Sequence, residues 1–112
     1  MDKEVARDLI SKDFKVASFI KNLNAVFEIE KLVLFGSRAR RDYLVGSDYD
    51  FIVVSRAFEG VPFIRRMFIV ADLWNHKESL EAFCYTPEEL AKKSMEIGIV
   101  SEALREGIEI TI

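Results

Sequence analysis

The chain has 112 residues, of which 50% are hydrophobic and 31% charged, enough to build one core and coat it. That balance excludes intrinsic disorder and low-complexity sequence. The net charge of −3, from 16 basic and 19 acidic side chains, argues against non-specific coating of nucleic acid, which is not expected as the main partner. A lone cysteine, Cys84, makes no internal disulfide and suits a reducing cytoplasm. The single histidine, His76, excludes multi-histidine metal sites. No apolar run approaches the ~20 residues of a membrane span, and the charged start MDKEVARDLI lacks a signal-peptide core. The expectation is one cytoplasmic domain over residues 1–112, with no membrane association.

From Lys3 to about Asn24 apolar residues recur at helical spacing, which predicts a long amphipathic helix with a break near Ser11. Lys31 to Phe35 (KLVLF) is a buried strand that runs into a turn at Gly36-Ser37. Arg38 to Tyr43 predicts a brief polar helix, and Val45-Gly46-Ser47 a turn. Asp48 to Ser55 (DYDFIVVS) is a second strand, rich in β-branched and aromatic residues. Its FIVV interior is apolar at every position, as in a central strand covered on both faces. Gly60 breaks the chain, and Pro62 begins a helix reaching about Trp74. Leu80 to Tyr85 (LEAFCY) is a third strand. Thr86-Pro87-Glu88-Glu89 spells a capping box for a helix expected to run to about Arg105. Gly107 stops that helix, and Ile108 to Ile112 alternates like an edge strand. Helices and strands alternate throughout, so the fold class is a small α/β sandwich. The pattern leaves open which strand pairs are parallel.

Two features carry chemistry. Gly36-Ser37 sits where a strand gives way to a short helix. Backbone N–H groups are unpaired there, glycine lets a phosphate approach closely, and the serine adds a hydroxyl donor. Arg38, Arg40 and Arg41 put positive charge nearby. The second feature is Asp48-Tyr49-Asp50. Residues two apart on a strand face one side, so both carboxylates project together, roughly 7 Å apart at the backbone. Like charges at that spacing favour a bound Mg²⁺ or Mn²⁺, hard cations that take oxygen ligands. An EF-hand loop, a Gly-Lys-Ser/Thr phosphate loop and a Gly-x-Ser-x-Gly elbow are all missing.

Ten residues separate Ser37 from Asp48, giving Gly-Ser-x10-Asp-x-Asp. The stretch FGSRARRDYLVGSDYDFIVV, with LEAFCYTPEEL and EALREGIEI further on, resembles the nucleotidyltransferase superfamily typified by DNA polymerase β. It looks most like the minimal (MNT) branch. The resemblance implies a small mixed β-sheet sandwiched by helices. It further implies that Gly36, Ser37 and Arg38 lie at the phosphates of a nucleoside triphosphate, ATP in particular. Asp48 and Asp50 would hold two Mg²⁺ ions, with Mn²⁺ an alternative. The third carboxylate of the family's site falls on Glu81, which would serve the catalytic metal and the attacking hydroxyl.

This sequence departs from the family pattern at two positions. Relatives often carry Asp where Glu81 stands, and usually Gly where Arg41 stands. MNT proteins are often encoded beside a helical HEPN protein in what resembles a toxin–antitoxin pair, so a HEPN-type partner is expected as the acceptor of AMP. The alternative is a weak or inactive module that binds nucleotide or partner and neutralises a toxin by contact. A small-molecule adenylyltransferase is the third reading. Cys84 reads as core and His76 as a loop residue outside the chemistry. Some of the nine phenylalanines are expected to form a surface for a partner or a homo-oligomer.

Overall fold

The three apolar runs assemble with a short C-terminal strand into one mixed sheet in the computed structural model, which describes residues 3–40 and 46–112. The strands are β1 (Lys31–Phe35), β2 (Tyr49–Val54), β3 (Leu80–Tyr85) and β4 (Ile108–Glu109), in the order β3-β2-β1-β4. β1 runs antiparallel to β2 and to β4, and β2 runs parallel to β3. β2 is flanked on both sides, and its residues from Phe51 to Val54 are buried. The expected central strand and the expected edge strand are both present. The fold is the α/β sandwich, with a mixed sheet between helices.

Alternation along the strands divides the core in two. Leu32, Leu34, Phe51, Val53, Ala82 and Cys84 join a cluster built with α1 (Lys3–Ser11), α2 (Phe14–Val26) and α4 (Phe63–Ala71). Val33, Phe35, Ile52, Val54 and Tyr85 join a smaller cluster under α5 (Pro87–Ser94) and α6 (Ile99–Glu106). Asp50 and Glu81 share sequence alternation with this second set.

The N-terminal helix is broken as expected. Asp13 caps α2 by accepting hydrogen bonds from the backbone N–H groups of Lys15 and Val16. The capping box at α5 is also present, with Thr86 and Glu89 bonded reciprocally.

Other boundaries differ. The helix expected from Thr86 to Arg105 is two helices, because the chain leaves α5 at Met95 and starts α6 from extended backbone at Gly98, a residue with little helix preference. α4 stops at Ala71, and Leu73 and Trp74 close the helix through turn hydrogen bonds to Val70 and Ala71. β4 has two residues rather than five. A 3₁₀ turn over Arg56–Phe58 follows β2, capped by Ser55. The helix expected over Arg38–Tyr43 begins earlier, as α3 (Gly36–Arg40), and its later residues, with Arg41, lie outside the described residues, as does Val45 of the expected turn. Among the described residues no helix is long and apolar enough to cross a membrane.

Candidate active site

The sheet register brings the two sequence features together. Phe35, the last residue of β1, pairs with Asp50, and Asp50 pairs with Glu81 of β3. Gly36 follows Phe35 directly, with φ of +72° in the left-handed region where glycine is at no disadvantage. A Cβ on Gly36 would fall within 3.0 Å of Asp50 Oδ2 and 3.3 Å of Asp50 Cγ. The Asp50 carboxylate therefore lies against the backbone of the Gly36-Ser37 turn, and glycine is what makes room for it.

Residues paired across parallel strands project to the same face, so the Asp50 and Glu81 side chains leave the sheet together. Asp48 precedes β2 with the same alternation and is exposed, as is Glu81; Asp50 is half-buried. Asp50's proton affinity is raised above the ordinary carboxylate range, first by burial, then by the negative charges of Glu81 and Asp48, with Arg40 acting the other way. Each of the three carboxylates thus falls within one field.

Among the described residues no three His, Cys, Asp or Glu side chains form a ready cage for a metal ion. The donor chemistry nonetheless suits a hard divalent cation, since Mg²⁺ commonly takes one or two carboxylates and completes its shell with substrate phosphates and water.

Ser37 is half-buried in the first turn of α3. Arg38, expected beside phosphate, has contacts with its own chain. It is 7% exposed, its Nε and Nη2 donate to the Ser47 carbonyl at 3.2 and 2.9 Å, and its guanidinium lies 4.2 Å over the Tyr49 ring. Arg40 is exposed and lines, with Phe35, Gly36, Ile99 and Glu102, a groove of about 490 Å³ between α3 and α6. That volume is within the range of small-ligand sites.

Sequence reasoning passed over Tyr49 and Asp13. Tyr49 alternates to the opposite face from the aspartates, where its hydroxyl donates to Asp13 Oδ2 at 2.7 Å. Burial and this carboxylate hold the phenol protonated far above its usual range. The one available signal was the DYD spacing itself, which makes any residue between the aspartates a support for both. Cys84 is core as expected: it is fully buried and burial pushes its thiol up to about 12. His76 lies edge-on to Trp74 and Phe14.

The sheet thus sets the Gly36-Ser37 turn against Asp50, with Glu81 paired to Asp50 on the next parallel strand, in a mixed α/β domain. The chain belongs to the nucleotidyltransferase domain family, whose model matches residues 15–109 and so takes in Gly36, Ser37, Asp48, Asp50 and Glu81. The fold is similar to that of a Sulfolobus solfataricus protein described as a candidate nucleotidyltransferase, with a TM-score of 0.57 and 23% identity over 80% of this chain and 78% of that one. It is also similar in fold to BolA1 from Arabidopsis thaliana, with a TM-score of 0.55 and 20% identity over 67% of this chain and 94% of that one. Among curated proteins none matches the chain.

Proposed function

We propose that the chain is a Mg²⁺-dependent adenylyltransferase that moves AMP from ATP onto a hydroxyl of a HEPN-type partner protein. The observation that carries the reading is the seating of the Asp50 carboxylate on the Gly36-Ser37 turn with Glu81 in register beside it. Phosphate held by the turn would meet a cation held by the carboxylates without any rearrangement of the sheet. The partner and the nucleotide follow from the resemblance to minimal nucleotidyltransferases.

In this reading the acceptor oxygen attacks the α-phosphorus, the bond to the β-phosphate breaks, and pyrophosphate leaves. A bound divalent cation supplies charge neutralisation and a more acidic acceptor hydroxyl. Gly36 and Ser37 hold the β and γ phosphates. Asp48 and Asp50 hold the metals. Glu81 orients the acceptor and takes up its proton.

A second reading, neutralisation of a partner by contact alone, is favoured by the exposure of Glu81 and the lack of a ready three-carboxylate cage among the described residues. Incubation with ATP labelled at the α-phosphate, Mg²⁺ and the partner separates the two. The first reading requires label on the partner. It also requires Glu81→Gln to keep ATP affinity while cutting transfer at least ~100-fold, the scale of a positioned acid–base group. Stable complex formation with no label transferred would favour contact alone.

A further inference from the structure

The residues on either side of Asp48 are both anchored by one side chain. Arg38 reaches from α3 and gives two donors of its planar fork to the carbonyl of Ser47. The same guanidinium covers the ring of Tyr49 at 4.2 Å. Tyr49 is then tied at its far end, where the hydroxyl donates to Asp13 Oδ2. Asp13 is itself fixed, since its other oxygen caps α2. Tyr49 also packs on Trp74, with ring centroids 4.8 Å apart, and its backbone N–H donates to Ser79, just before β3. A continuous set of contacts therefore runs from the start of α2, through Tyr49, to α3, and holds the residues on both sides of Asp48.

We infer that Arg38, Tyr49 and Asp13 form a positioning clamp for the Asp48–Asp50 segment, and that Arg38 acts on the nucleotide through the metal-holding carboxylates rather than as a phosphate ligand. The inference rests on the reading of Asp48 and Asp50 as metal holders. Three points support it. Arg38 is buried, with its guanidinium on the Ser47 carbonyl and over the Tyr49 ring. Its fork is planar and bidentate on one backbone carbonyl, a geometry lysine does not reproduce. Asp48 lies outside β2 and so lacks the ladder that fixes Asp50. Without an external hold, the residue before the strand would be free to take several directions, and two carboxylates that repel would separate.

The test uses the full chain and reads thermal stabilisation by ATP as Mn²⁺ is titrated, together with ATP binding in excess chelator. Arg38→Lys keeps the charge and removes the fork. Tyr49→Phe keeps the ring under Arg38 and removes the bond to Asp13. Groups that orient metal ligands change metal affinity by about 10–100-fold. The clamp predicts that Arg38→Lys raises the Mn²⁺ midpoint about tenfold, that Tyr49→Phe raises it in the same direction by less, and that metal-free ATP binding is unchanged in both. A phosphate ligand at Arg38 would show the reverse, with weaker metal-free binding and an unmoved Mn²⁺ midpoint. A merely structural role would lower the melting temperature of the metal-free protein and leave the midpoint in place. Either result overturns the clamp, while the wild-type response to Mn²⁺ and ATP keeps the metal-site reading intact. A wild-type chain that shows no Mn²⁺-dependent response to ATP overturns both.

Discussion

Adding one methyl group at Gly36 tests the central geometry of the site. Two costs combine in Gly36→Ala. The backbone has φ of +72°, and an L side chain in the left-handed region costs about 1–2 kcal/mol. The new Cβ also falls inside 3.0 Å of Asp50 Oδ2, so the carboxylate must retreat by about 1 Å to reach ordinary contact. For a domain of this size the backbone cost alone lowers the melting temperature by roughly 5–10 °C. The displacement should also cost about 100-fold in transfer, the penalty of a ~1 Å misplacement of a reacting group. Calorimetry on four proteins isolates the close approach: wild type, Gly36→Ala, Asp50→Ala and the double variant. The alanine at 36 should be tolerated better when residue 50 has no carboxylate. Equal losses in both backgrounds would mean that Asp50 does not rest on the turn, and the juxtaposition of the phosphate turn with the carboxylates would fail with it.

Two further outcomes follow from the protonation of Asp50 and Cys84. Asp50 binds its proton more tightly in the folded chain than in the unfolded one, so stability falls as pH rises from the ordinary value of 3.8 upward. In chelator, Asp50→Asn should therefore melt higher than wild type at pH 7, with the gap closing as pH is lowered toward 4. A melting temperature for the variant below that of wild type at pH 7 would refute the burial and repulsion assigned to Asp50. Cys84, fully buried with its thiol pushed up to about 12, should resist iodoacetamide at pH 8 in the native protein and react only in denaturant. Rapid labelling without denaturant, read by intact mass, would show that the thiol is accessible.

The strands were legible because each is an apolar run closed by turn residues: β1 and β3 have the bounds expected from KLVLF and LEAFCY. Glu81 was reached through the family resemblance, with alternation showing only that it could share the aspartates' face; its pairing with Asp50 needed the sheet. The fate of Arg38 was not legible. Arginines beside a Gly-Ser turn read as positive charge for a phosphate, and only tertiary structure sets Arg38 onto Ser47 and Tyr49. Asp13 was passed over, because nothing local signals a Tyr49 contact that spans 36 residues. The break between α5 and α6 was obscured by apolar residues that keep helical spacing across Gly98. The exposure of Ile97 and Ile99 shows that this spacing does not correspond to one buried stripe.

The parallel pairing of β2 with β3 makes the third carboxylate a matter of parity. Between Asp50 and Glu81 lie the 3₁₀ turn, α4 and the loop before β3, and insertions or deletions in the loop are compatible with an unchanged sheet. A slip of β3 by one residue is not. It would set Leu80 or Ala82 opposite Asp50, turn Glu81 to the α1–α2 face, and exchange Ala82 and Cys84 with Phe83 and Tyr85 between two cores of different size. The same packing that keeps small side chains on one face of β3 and aromatic ones on the other therefore guards the alignment of the acid. In related chains the equivalent residue is to be sought by counting in steps of two from the buried members of this strand, rather than by its distance along the sequence from the aspartate pair.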